Sequence, residues 1–214
     1  SKNRLLTTIA YRINGKTTYA MEGSIFIAGA GVQWLRDRMK FFKTAPETEK
    51  IVKSLKDNNN IYLVPAFTGL GAPYWDANAR GVLSGITRDT SPKEIVRATI
   101  EAVAYQTYDL FEAMKHDGLR PKIVKVDGGM VMNNWFSQFL SDIVNVKVLR
   151  PKVQETTALG AAFMAGLHLG IYKSLKDISK NWSLDKKFSP KMKNKSRAML
   201  INGWEKAVKR ALIN

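Results

Sequence analysis

Between residues 122 and 140 the chain runs through Lys-Ile-Val-Lys-Val, then Asp127-Gly128-Gly129-Met130-Val131-Met132-Asn133-Asn134, then Trp-Phe-Ser-Gln-Phe-Leu. The first five residues mix charged and apolar side chains toward an Asp, as a half-buried β-strand ending in an exposed turn does. The last six read as a helix with Asn133 near its N-cap. Two adjacent glycines between a strand and a helix leave the backbone bare, because no Cβ keeps a ligand away. Amides at a helix N-terminus favour polar or anionic groups. The Asn133 side chain both donates and accepts, which suits the edge of a base. The same residues also describe a tight strand-to-helix turn with an Asn cap, and both readings stand at this point.

A second glycine pair lies upstream. Leu5 to Ile13 is β-prone, Asn14-Gly15 is a hairpin signal, and residues 17–21 form the return strand. Residues 25–42 then read as a helix capped by Ser24, with Ile25, Ala28, Val32, Leu35, Met39 and Phe42 as its buried stripe. Gly29 and Gly31 fall inside this expected helix, where glycine costs about 1 kcal/mol relative to alanine. Close packing explains them, and so does close approach of a ligand. Gly29 and Gln33 share a face, so a bare patch with an amide one turn later is a candidate nucleotide contact.

The remaining chain alternates strands and helices. Residues 46–57 read as a charged helix, 61–67 as an apolar strand, 82–87 as another. Between these strands lies a long turn-rich loop, 68–81. There Tyr74 and Trp75 are expected to act as anchors and Asp76 to pair with Arg80; contact of these aromatics with a nucleotide is not expected. Ser91-Pro92-Lys93-Glu94 is a capping box that starts a long, deeply buried helix ending near His116. Residues 147–151 form a short strand. The small-residue helix 158–167, capped by residues 155–157, is expected to pack tightly on the sheet. Residues 175–180 are a short amphipathic turn, the lysine-rich stretch 186–197 an exposed linker and helix start, and 193–213 a final helix with Trp204 inward. The second half therefore implies an α/β fold with some parallel strands.

Composition narrows the chemistry. The 214 residues hold no cysteine and two distant histidines, His116 and His168, so neither a disulfide framework nor a metal site is expected. No long apolar run spans a membrane. Ser1-Lys2-Asn3-Arg4 carries no secretory signal. There is no opening Met and a strand begins at once, so the chain reads as a piece of a longer, cytoplasmic polypeptide. The net charge of +16 permits anionic partners. The lysines are dispersed, however, so a solvated surface is the reading preferred over a nucleic-acid-binding module. The P-loop, the Gly-x-Gly-x-x-Gly turn after a strand and the nucleophile elbow have no match.

Other segments carry a resemblance. Gly81-Val-Leu-Ser-Gly85-Ile86, followed after seven residues by Glu94-Ile-Val-Arg-Ala98-Thr-Ile-Glu101, resembles the second signature of the FGGY carbohydrate kinases. Leu63 to Asp76 with Ala79-Arg80-Gly81 is similar to the glycerol-kinase branch of that family. Residues 6–10, 33–37, 104–106, 126–129, 157–162 and 203–211 add to the likeness, which covers essentially all of residues 1–214. One departure is Ala77-Asn78, where that branch commonly has a proline after the Asp.

The resemblance implies an actin-like ATPase (ribonuclease H-like) domain, a mixed sheet flanked by helices, and the C-terminal half of a two-domain kinase. It implies ATP or ADP with Mg2+, the metal held mainly outside this chain, and glycerol bound through the other half. It implies phosphoryl transfer to glycerol, with a pentulose or another polyol as the alternative acceptor, and a homo-oligomer at full length. By position, Gly29, Gln33, Gly129 and Asn133 are its nucleotide contacts. The family's phosphate-binding motif and its catalytic Asp have no counterpart here, so no catalytic residue is expected within the chain and the isolated piece is expected to be inactive.

Overall fold

The computed structural model describes residues 1–212. The chain opens with the hairpin of β1 (Leu6–Ile13) and β2 (Lys16–Glu22). Asn14 and Gly15 both take positive φ, 50° and 77°, which two-residue hairpin turns require and an Asn-Gly pair supplies at low cost. β3 (Tyr62–Val64) and β4 (Val82–Ser84) form a second antiparallel pair. A three-stranded mixed sheet follows: β5 (Ile123–Lys125) runs parallel to β6 (Lys147–Pro151), which pairs antiparallel with β7 (Leu184–Phe188).

The helices are α1 (Gly29–Asp37), α2 (Glu47–Lys53), α3 (Pro92–His116), α4 (Asn134–Val144), α5 (Thr156–His168), α6 (Leu175–Ser179) and α7 (Asn194–Ala211). α3 is the central one, with α1, α2, α4 and β3 packed against it. Its capping box forms as expected: Lys93 N–H donates to Ser91 Oγ at 3.2 Å, and Ser91 N–H donates to Glu94 at 3.0 Å. The largest fully buried side chains, Trp204 of α7 and Tyr105 of α3, stack at 5.4 Å and 21°. Among the described residues, no helix is long and apolar enough to cross a membrane.

Several expected bounds shift. The first helix spans residues 29–37, not 25–42. Ser24 does not cap the helix, whose N-cap is Ala28; its carbonyl accepts Ala72 N–H at 3.1 Å and holds that segment against the loop. Past Asp37 the backbone leaves the helix and Lys40 reaches φ 58°. Phe42 is still buried, but Met39 is exposed. The second helix contracts to residues 47–53, and the two apolar strands contract to three residues each.

β7 was not expected at all, since Leu-Asp-Lys-Lys-Phe is a charged stretch. It is an edge strand whose lysines face solvent while Phe188 is buried, an arrangement that discourages further strand pairing. The expected tight packing of the small-residue helix is also corrected. Only Gly166 of α5 is buried, and its larger apolar residues Leu159, Phe163, Met164 and Leu167 remain half-buried or exposed. Its contacts run to the turn that follows, where the Phe163 and Tyr172 rings meet edge-on at 5.6 Å. The final helix ends at Ala211, and Ile213 lies outside the described residues.

The 68–81 loop is anchored as its aromatics suggest. Trp75 Nε1 donates to the Arg4 carbonyl at 2.7 Å, and Tyr74 OH donates to Asp109 at 2.9 Å. The expected Asp76–Arg80 pair is absent among the described residues. Asp76 accepts the N–H groups of Asn78 and Ala79, and Arg80 donates to the carbonyls of Ala77 and Ala79.

Asp109 joins that loop to α7, because Trp204 Nε1 donates to the same carboxyl oxygen at 2.8 Å. Burial pushes its pKa up to about 7; the bonds from Trp204 and Tyr74 oppose the shift, and nearby Glu205 adds to it. An unfolded Asp titrates near about 3.9. Between the two values the folded chain holds one more proton than the unfolded chain, so stability falls as pH rises from about 4 to about 7. Asp109→Asn removes this dependence. The stability of the variant relative to the original chain should rise across that window by up to about 1.4 kcal/mol per pH unit. Denaturant titrations at pH 5 and pH 7 measure it, and parallel pH profiles would refute it.

Candidate functional site

A cleft of about 370 Å³ opens between the start of α1, the turn before α4, and α2. All four sequence-derived contacts, Gly29, Gln33, Gly129 and Asn133, line it. The chain separates the two pairs widely, and α3 brings them together, with Ile100 forming part of the wall.

The two glycines of the first pair separate cleanly. A Cβ on Gly31 would stand 3.0 Å from Thr99 Cγ2, so Gly31 is small because α1 presses on α3. A Cβ on Gly29 would meet nothing within 4 Å. Its emptiness faces the cleft. Both glycines lie within the helix, as the sequence suggested, but in its first turn and not its middle, where the missing side chain costs little helical stability.

The strand–turn–helix stretch closes the other side. Residues Gly129–Met132 make one 3₁₀ turn, and Asn133 caps α4 by accepting Phe136 N–H at 3.0 Å. Gly129 also has open space where a Cβ would be. Asn133 has less freedom than its composition suggests. Its Oδ1 serves the cap, and its Nδ2 donates to Thr48 Oγ1 at 3.3 Å. One amide hydrogen remains for a ligand.

α2 supplies contacts that the sequence did not reveal. Thr48 and Glu49 line the cleft, 85 residues from the turn they bond. Glu49 accepts Asn134 N–H at 3.2 Å and Lys53 Nζ at 2.5 Å. Partial burial works against its charge, yet these partners outweigh it and hold its carboxyl below the ordinary value. In sequence, Pro46-Glu47-Thr48-Glu49 signals only a helix start. Val32, Met130 and Met132 were missed for a similar reason, since apolar residues at helical spacing read as core.

At the rim, Arg36 forms a two-pronged pair with Asp37 at 2.7 and 2.9 Å. The walls are otherwise mostly apolar, with a few fixed polar groups, as in small-molecule and cofactor sites. Tyr74, Trp75 and Asp76 take no part in the lining. Among the described residues no group of three or more His, Cys, Asp or Glu side chains is placed to hold a metal ion. Glu49, the acidic lining residue, is already bonded twice.

Residues 3–169 match the C-terminal domain of the FGGY family of carbohydrate kinases. The chain belongs to this family. The FGGY chain is 57% identical to glycerol kinase 1 of Pseudomonas aeruginosa over 210 residues, covering 98% of itself and 42% of that protein. It is 54% identical to a glycerol kinase of Clostridium botulinum, covering 99% of itself and 43% of the relative. It therefore spans about two-fifths of the relatives' length. Its fold matches the crystal structure of Plasmodium falciparum glycerol kinase with ADP at a TM-score of 0.90 and 39% identity, over 100% of this chain and 43% of that one. A ligand-bound xylulose kinase from Lactobacillus acidophilus matches at 0.79 and 25% identity, over 97% of this chain and 41% of that one. The architecture is the actin-like ATPase domain of these FGGY kinases, with its mixed sheet and covering helices.

Proposed function

We propose that this chain is the C-terminal, nucleotide-binding half of a cytoplasmic glycerol kinase, and that its cleft holds the adenine end of ATP or ADP. The convergence of Gly29 and Gln33 with Gly129 and Asn133 on one cleft carries the reading. Bare backbone on both sides admits a flat ring, apolar walls contact its faces, and Gln33, Thr48 and Asn133 offer polar groups at its edge. The structural relative with ADP supports the same ligand.

In the complete enzyme the terminal hydroxyl oxygen of glycerol attacks the γ-phosphorus in line, and the bond to ADP breaks. The hydroxyl proton passes to a base outside this chain, giving sn-glycerol 3-phosphate. Such transfer depends chiefly on positioning and charge neutralisation. This half holds the base and ribose and forms one jaw of a cleft whose closure excludes water. Mg2+ would travel with the ATP phosphates and neutralise their charge, held mainly by residues outside this chain. Xylulose kinase is the competing reading, because a xylulose kinase shares the fold and the polyol site lies elsewhere.

The isolated chain, given ATP and glycerol, should form no ADP above a mock preparation. The complete polypeptide should bind ADP and phosphorylate glycerol in preference to xylulose. Turnover by the isolated chain, or preference for xylulose, would overturn the assignment.

A further inference from the structure

The 3₁₀ turn at Gly129–Met132 has two sides. One faces the cleft, and the other rests on a buried guanidinium. Arg150 of β6 is 6% exposed and lies outside the cleft lining. Its Nη1 donates to the Val131 carbonyl at 2.8 Å and to the Met132 carbonyl at 3.3 Å, and its Nη2 donates to Asn134 Oδ1 at 3.3 Å. Its Nε donates to Asp185 of β7 at 2.6 Å, and the guanidinium lies 5.6 Å from the Phe188 ring centroid.

We propose that Arg150 is a positioning residue for nucleotide binding: its fork, aimed by Asp185, holds the turn so that Gly129 and Asn133 stand at the cleft wall. This rests on the nucleotide reading above. A planar guanidinium presents five donors in fixed directions, and here it reaches two carbonyls of the turn, the Asn134 side chain at the start of α4 and a carboxylate on a neighbouring strand. The turn is short, and its own bonds do not fix its tilt relative to α1 across the cleft. Ser137 Oγ also bonds the Val131 carbonyl, at 2.9 Å, but from within the helix that the turn leads into. Lys186 of β7 also reaches Asn134 Oδ1, at 3.1 Å, but among the described residues Arg150 is the sheet side chain that bonds the turn's own carbonyls, those of Val131 and Met132. The alternative is that Arg150 only staples β6 to β7 through its ion pair.

Arg150→Lys separates the two roles. A lysine keeps a charge beside Asp185 but cannot fork to the carbonyls of Val131 and Met132 and to Asn134. In the complete kinase, Arg150→Lys should keep its melting temperature near that of the original enzyme. Its ADP dissociation constant and its KM for ATP should both rise about tenfold, with the KM for glycerol unchanged. Asp185→Asn, at an exposed carboxylate, should raise them about threefold. Arg150→Met exposes the same dependence if it folds, and the other two variants carry the test if it does not. ADP affinity unchanged in Arg150→Lys and Asp185→Asn would leave Arg150 a strand staple and overturn the inference. Equal rises in both KM values would point to general loosening and overturn it too. If the complete unmutated kinase fails to bind ADP, the nucleotide reading itself falls and takes this inference with it.

Discussion

Gly129→Val in the complete kinase is expected to weaken ADP binding by about a hundredfold, roughly 2.7 kcal/mol, without unfolding the domain. The two halves of this expectation come from the same geometry. Apart from its own chain neighbours, no protein atom lies within 4 Å of where the first added carbon would stand, so the fold has room for it. That room is the cleft, and the branched side chain fills the space beside the backbone where the base would lie. Gly31→Ala is the contrasting change. Its Cβ presses on Thr99 at 3.0 Å, so its effect belongs to the α1–α3 contact and to stability. Calorimetric titration with ADP, alongside circular dichroism, measures the difference. Unchanged affinity in a folded Gly129→Val protein would remove the cleft from nucleotide binding.

The second large effect concerns stability. Glu101→Ala should cost about 3–5 kcal/mol, the range for stripping one partner from a buried ion pair. Glu101 is fully buried on α3. Burial pushes its carboxyl upward, while Arg97, Tyr105 and Asn58 pull it back. Arg97 Nε donates to it at 2.7 Å, Tyr105 OH at 3.0 Å and Asn58 Nδ2 at 3.4 Å. Removing the carboxylate leaves the buried Arg97 with the Leu55 carbonyl at 2.9 Å and the Trp135 ring at 5.1 Å, and no counter-ion. Domains commonly hold only about 5–15 kcal/mol in all, so the loss approaches unfolding. Glu101→Gln keeps an acceptor and should cost less. Urea denaturation at pH 7 decides it, and a loss under about 1 kcal/mol would contradict the expectation.

The sequence showed the site where chemistry was local. Asn133 as a cap, Gly129 as bare backbone and Ser91–Glu94 as a capping box each need only a few neighbouring residues to be recognised. Glu101 inside α3 looked like any helical acid paired four residues back with Arg97, because its complete burial comes from distant segments such as that of Asn58, 43 residues away. Thr48 and Glu49 were invisible as cleft residues for the same reason. β7 escaped because an edge strand needs burial on one side only, and of its two apolar residues only Phe188 is buried. The first helix was drawn too long because apolar spacing continues through residues 25–42, while a backbone bond from Ser24 to the loop and the bend after Asp37 end the helix early. α5 was overestimated because small residues in a helix read as close packing, while in the structure only Gly166 is buried and Met164 is exposed.

α3 touches two places that the chain keeps apart. Ile100 forms part of the cleft wall, and Asp109, nine positions further along, anchors Tyr74 of the 68–81 loop. At 1.5 Å of rise per residue the two stations lie about 14 Å apart on one shaft. Loop anchor and cleft wall are thus mounted on one rigid element, and an axial shift of α3 as a body would carry both together.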